Sequence, residues 1–353
     1  MNIQDEAFGI IPNAFHIIWN KCDCNQTWIP LTYMQGEAKF LMGHVLEGND
    51  MEKENKKMIA ADFALLIVAV IWGTGFIVTK NILSGVTPLY MVAFRFAVAT
   101  LIMLVISFNK IKSIQIQDLK AGLIVGFMLF MGFATQTIGI QYTTAGKSAF
   151  LTGTNVVMVP FIVWFIHKKR PDIYAITAAV LCFIGVSLLT TGEQLGALKA
   201  GDLWALSCAL FFALHIISTS IYVKKTSPAL LTFLQFAFVT IFAFITAFAV
   251  EGPIYTPNSS AMLGVLYLGI FSTCAAFLIQ TTAQKYTTAT HAAIILSMES
   301  MFGTVLGIVL LNEPFTLLMG LGCGVILIAI ITAETGWSFL RKNKGRPLAD
   351  EAT

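Results

Sequence analysis

From about residue 59 to residue 334 this chain alternates long apolar runs with short polar breaks. A helix that crosses a bilayer needs about 20 mostly apolar residues. Ten runs meet or approach that length, at 61–79, 88–108, 119–141, 145–166, 173–191, 203–223, 229–249, 261–283, 288–311 and 315–333. The chain is 57% hydrophobic and 12% charged, whereas soluble domains carry roughly 25% charged residues. Soluble helices also need a polar face, and most of these runs lack one. A large soluble helical core is therefore a poor account of the sequence. The breaks carry turn chemistry, as at Pro88, Pro171, Ser227-Pro228, Gly252-Pro253 and Glu313-Pro314.

Lysine and arginine in the connecting segments set an orientation. If the segment before the first run is cytoplasmic, the inside segments hold Lys53, Lys56 and Lys57; Lys110, Lys112 and Lys120; and Lys168, Lys169 and Arg170. They also hold Lys224 and Lys225, then Lys285, then Arg341, Lys342, Lys344 and Arg346. The outside loops hold only Lys80, Lys147 and Lys199. This imbalance predicts a multi-pass protein of the cell (plasma) membrane with both termini cytoplasmic.

Residues 1–57 stand apart, and we expect a poorly ordered extension there. The stretch near Phe8–Trp19 opens with Asp5 and Glu6, so it lacks the basic start of a signal peptide. Met51 opens MEKENKKM, a short basic lead into the first run, and the Glu47-Gly48 codons before it can spell a ribosome-binding sequence. The expectation is that translation starts at Met51. Cys22 and Cys24 form a C-x-C pair near His16, too little for a metal site without a second pair. Cys182, Cys208, Cys274 and Cys323 lie inside apolar runs, where they act as small hydrophobes. No metal and no cofactor is expected.

The sequence repeats itself. At an offset of 140, ADFALLIVAV (61–70) faces GDLWALSCAL (201–210), and PLYMVAFRFAVATLI (88–102) faces PALLTFLQFAFVTIF (228–242). At an offset of 144, Gln136 meets Gln280, and Tyr142-Thr143-Thr144-Ala145 meets Tyr286-Thr287-Thr288-Ala289. Runs one to five thus recur as runs six to ten, in regions 58–192 and 200–334, followed by a tail over 335–353. Five is odd, so the second copy must cross the membrane in the opposite sense. The expected fold is an all-α membrane protein of ten transmembrane helices arranged as two inverted five-helix repeats. That architecture belongs to transporters, with the substrate near the midplane between the halves.

Several short pieces resemble EamA-type members of the drug/metabolite transporter superfamily. They are Ile71-Trp72-Gly73-Thr74-Gly75-Phe76, Pro88 followed by Arg95, and the Tyr-Thr-Thr-Ala entries to the fourth and ninth runs. Pro160 and Leu311-Asn312-Glu313-Pro314 complete the set. The resemblance covers residues 59–334 in order. It implies a plasma-membrane carrier of small metabolites, often amino acids or related compounds, with a cavity lined by runs one, three, four, six, eight and nine. Family members often close the fourth run with an acid, as Glu313 closes the ninth; here that place holds His167-Lys168-Lys169-Arg170.

Polar side chains inside a span are costly unless paired or wetted, about 3 kcal/mol for a charge at the centre, so they are the candidate site residues. Glu299 sits near the middle of the ninth run, and its repeat-mate is Asn155. Glu299 could bind a substrate amine, carry a coupling proton, or serve as a hydrogen-bonded structural acid. Arg95 could bind a carboxylate or snorkel outward; its mate is Gln235. His215 could relay a proton or simply be packed and hydrogen-bonded. Gln136 and Gln280 are equivalent and could both line a cavity. Trp72 and Phe211–Phe212 occupy matched places, where rings stack on a substrate or pack. Lys147 could snorkel or gate. Small residues at Ala145, Ala149 and Gly153, and at Ala289, Ala293 and Ser297, suit close helix approach. Gly303-xxx-Gly307 and Gly320-xxx-Gly324 are of the same kind; the latter suits intramolecular packing or a homodimer contact.

The sequence lacks HExxH, GxSxG and P-loop patterns, so no enzyme is expected, and nothing points to nucleic acid. The expectation is a secondary transporter of a small organic metabolite, an amino acid, amine or related solute, working by alternating access. The alternative is a flippase for a lipid-linked sugar, or a channel-like pore of similar fold.

Overall fold

A computed structural model describes residues 56–335 except 76, 80, 143–150, 169, 190–199, 255–256 and 312–315. The extension with Cys22, Cys24 and Met51, Lys147, Ala145, Ala149, Glu313 and the basic tail therefore lie outside the described residues. Helices occupy every apolar run, and no strand occurs among the described residues. They are α1 (Lys56–Thr79), α2 (Pro88–Ile111), α3 (Ile116–Tyr142), α4 (Asn155–His167), α5 (Ile173–Leu189), α6 (Ala200–Tyr222) and α7 (Pro228–Glu251). Then come α8 (Ser259–Tyr267), a π-helix (Leu268–Ala275) and α9 (Ala276–Ala283), which run on without a break, and α10 (Ala289–Leu296), α11 (Met298–Leu311) and α12 (Leu317–Thr335). Among the described residues, six stretches are long and apolar enough to cross a membrane: α1, α2, α3, Leu203–Tyr222 of α6, α7 and Ser259–Ala283. The apolar helices Leu151–Ile166, Ile173–Leu188 and Gly320–Thr332 are shorter.

Local chemistry sets the ends. Pro88 and Pro228 open α2 and α7, where a missing N–H costs nothing and the fixed φ suits the helix. Gly252 ends α7 at φ +90°, in the left-handed region open to glycine. Asn258 caps α8 by accepting from Ala261 N at 2.8 Å. The start of α2 is capped from another helix. Glu251, at the end of α7, accepts from Leu89 N at 2.8 Å, Tyr90 N at 3.0 Å and Thr87 Oγ1 at 2.5 Å.

That cap fixes how α2 and α7 lie. The start of α2 meets the end of α7, and near the other end Ser107 Oγ donates to Ala229 O at 3.0 Å. The two helices are antiparallel. Midway, Thr100 bonds Thr240 and the Phe96 ring meets the Phe236 ring at 5.5 Å; both pairs are 140 positions apart. Helices α3 and α6 are also antiparallel. A Cβ on Gly139 would stand 3.1 Å from Trp204 Cβ, one on Gly132 would stand 2.6 Å from the Phe212 ring, and Thr226 donates to Asp118 at 2.7 Å.

Large apolar side chains cover the outside, among them Leu101, Val105, Phe165, Ile245, Phe248, Leu263 and Val309. A water-facing surface does not present so continuous an apolar band, whereas lipid accepts it. One expected contact is missing. A side chain at Gly324 would meet nothing within 4 Å among the described residues. Gly303 does pack: a Cβ there would lie 3.5 Å from Gly73 O.

Candidate functional site

The polar mates Asn155 and Glu299 sit at two helix interruptions. The helix over 151–153 breaks at Thr154 before α4, and α10 breaks at Ser297 before α11. Each break carries a side-chain back-bond. Thr154 Oγ1 donates back to Leu151 O at 2.6 Å, and Ser297 Oγ donates back to Ile294 O at 2.6 Å. Such back-bonds compete with the helical ladder. Asn155 and Glu299 thus stand in the first turn of the following helix.

These two residues line one cavity with Trp72, Arg95, Gln136, His215 and Gln280. All seven polar or aromatic candidates therefore come together. They arrive from α1, α2, α3, α4, α6, α9 and α11, so α2 joins the helices expected from the resemblance, through Arg95. Measured as space open to the centre of a water molecule, the interior is about 80 Å³. A single water needs roughly 10–15 Å³ on that measure, so the room suits a small hydrated solute.

Arg95 is 4% exposed and faces inward. This overturns the snorkelling reading, because its partners are on the facing helix. Its Nε donates to Thr273 Oγ1 at 2.9 Å and its Nη2 to Ser272 Oγ at 3.4 Å. The guanidinium also stands 4.6 Å from the centre of the Phe133 ring. Both hydroxyls belong to the π-helix, whose Ser272 carbonyl accepts from Trp72 Nε1 at 2.9 Å. Arg95 and Trp72 of the first half are thus tied to one turn of the second.

His215 is packed and hydrogen-bonded, yet it also lines the cavity. Its Nε2 lies 2.9 Å from Gln235 Oε1, and its ring meets Phe277 edge-on at 5.7 Å. Gln280 is buried and its Oε1 has no partner among the described residues. The apolar wall is aromatic. Trp72 meets Phe277 at 4.9 Å, Phe212 meets Phe133 at 5.3 Å, and Phe133 meets Phe277 at 5.9 Å. Offsets of 140 and 144 turn the first of these pairs into the second.

Sequence reasoning missed Phe133, Phe277, Ser272, Thr273 and Ser297. For Phe133 and Phe277 the signal was present, since the offset that pairs Gln136 with Gln280 pairs them as well. For Ser272 and Thr273 there was none: the π-helix changes which residues face Arg95.

Apolar spanning helices around one charged cavity, built from both halves of a repeat, define a polytopic membrane transporter. The chain belongs to the EamA-like transporter family, which matches residues 59–191 and again 199–334. An uncharacterized transporter of Archaeoglobus fulgidus is 33% identical over 279 residues, covering 79% of this chain and 87% of its own. The uncharacterized transporter YetK of Bacillus subtilis is 24% identical over 295 residues, covering 78% and 88%. A solved crystal structure shares the fold with a TM-score of 0.65 at 13% identity, over 78% of this chain and 97% of that one.

Proposed function

We propose that this protein is a secondary transporter that carries a small organic metabolite bearing both a carboxylate and an amine, or one of the two, across the plasma membrane. The observation that carries this reading is the meeting of Arg95 and Glu299, one from each half, in one aromatic-walled cavity. Among the described residues neither is ion-paired. An arginine fork takes a carboxylate in two parallel hydrogen bonds. A carboxylate and ring faces take an ammonium.

Alternating access between inverted repeats is supported by the antiparallel α2–α7 pair and by contacts between residues 140 positions apart. Two halves of similar packing, related by an axis in the membrane plane, give two access states of similar energy. The orientation with both termini cytoplasmic rests on the lysine and arginine placement. The test is uptake into reconstituted vesicles, screened across amino acids and amines, with Glu299→Gln as the paired control. Transport of one such solute by wild type and its loss in the variant is the expected result. A protein that moves none of them, or a variant that moves them equally well, would sink the reading.

A further inference from the structure

The second half carries buried polar atoms that the cavity alone does not explain. Gln280 lies at the cavity wall, Gln284 one turn further along, and Thr287 just beyond. Gln280 Oε1, Gln284 Oε1, Thr287 Oγ1 and Thr232 Oγ1 are all buried, and no described residue bonds them. A buried acceptor without a donor is costly, more so in a membrane, where lipid offers none.

These atoms belong to one strip. Contacts between α7 and α9 pair Phe236 with Phe277 and Gln235 with Thr281, the latter at 3.4 Å, so the two helices run in opposite directions. Thr232 lies one turn before Gln235, and Gln284 one turn beyond Thr281 by position in the chain. They come to the same level. Gln284 also reaches across to α6, where its Nε2 donates to Ile216 O and to Ser220 Oγ, both at 3.1 Å. One turn nearer the cavity, His215 Nε2 contacts Gln235 Oε1 at 2.9 Å and Thr219 Oγ1 at 3.4 Å. Three helices thus present polar groups continuously from His215 and Gln280 to the turn holding Lys285.

The strip is only partly matched in the first half, where the mates of Gln235, Gln280 and Thr281 are the polar Arg95, Gln136 and Thr137. The repeat-mates of Thr232, Gln284 and His215 are Val92, Ile140 and Gly75. At those three positions the polar group occurs in the second half alone.

We propose that the wedge between α6, α7 and α9 binds a file of ordered water molecules that joins the cavity to the Lys285 end of the bundle. Water is the ligand that fits. It donates to two unpartnered amide oxygens and exchanges bonds with two hydroxyls. The site holds no charge that would favour an ion. Each water in such a place makes about three bonds. The file gives the cavity a one-sided supply of water. The inference does not depend on which solute the cavity takes.

Radiolytic labelling in H2(18)O tests it, on the full chain in detergent, with the double variant Thr232→Val, Gln284→Leu and the near-isosteric Thr232→Val alone. Trp72, which touches the cavity and not the wedge, is the internal reference. In wild type, Phe236, buried one turn along α7 from Thr232 and outside the cavity lining, takes up label alongside Trp72. In the double variant, Phe236 loses label several-fold relative to Trp72. Unchanged ratios would overturn the proposal. Melting temperature supplies the second readout. A dry wedge would make Thr232→Val stabilising, because the variant removes an unmet polar group. A hydrated one makes it neutral or destabilising. A raised melting temperature in Thr232→Val would therefore overturn the proposal even if the double variant does not fold.

Discussion

Thr100 and Thr240 are matched to each other by the internal repeat, and their hydroxyls lie 3.0 Å apart. A residue touches its own counterpart only where a two-fold axis passes between them. Side chains this close are within reach of a disulfide. In a cysteine-free background, Thr100→Cys with Thr240→Cys should cross-link rapidly under mild oxidation. After cleavage at a protease site engineered near residue 195, the two halves should stay joined on a non-reducing gel. Separate fragments would refute the antiparallel pairing of α2 and α7.

Glu299→Gln keeps the shape of the side chain and removes its charge. It should express and melt like wild type while solute uptake falls to background. Retained uptake would take Glu299 out of the mechanism.

Arg95→Lys keeps a positive charge and loses the fork that reaches Ser272 and Thr273 together. Hydrogen bonds to charged groups contribute about 1.5–3 kcal/mol each, so uptake of a carboxylate-bearing solute should fall by roughly ten-fold or more. An amine without a carboxylate should be carried almost as before. Equal losses for both solutes would show that Arg95 holds the fold and does not read the solute.

Gly126 and Gly324 should respond oppositely to alanine. A methyl at Gly126 would stand 2.8 Å from the Gln235 carbonyl oxygen, on the backbone of α7. Overpacking of that kind costs about 1–3 kcal/mol, and the melting temperature of Gly126→Ala should drop by several degrees. A methyl at Gly324 meets nothing within 4 Å. Gly324→Ala should be neutral or slightly stabilising, since alanine is the better helix former by roughly 0.5–1 kcal/mol. A matching loss at both positions would contradict the packing described for α3 and α7.

The candidate site was readable in the sequence for a physical reason. Lipid makes each buried polar group expensive, so those that persist stand out, and Glu299, Asn155, Gln136, Gln280, Arg95 and His215 were visible on that ground. The repeat added the pairing of Asn155 with Glu299. The interruptions at Thr154 and Ser297 were not visible, because serine and threonine recur along these helices without breaking them, as at Thr135 and Thr137. The partners of Arg95 were hidden by the π-helix. The room beside Gly324 was hidden because glycine spacing signals that an approach is allowed without saying which neighbour makes it.

The contact of Phe96 with Phe236 has a consequence for evolution and engineering alike. A position on the axis is met by its twin from either side, so in a carrier with two mirrored states a change there alters both states alike. It can speed or slow the exchange without favouring one direction. Positions off the axis have no such restraint. Arg95 opposite Gln235, and Gly75 opposite His215, are places where the halves have diverged. Under the proposed alternating access, those mismatches are where a preference for one direction would arise.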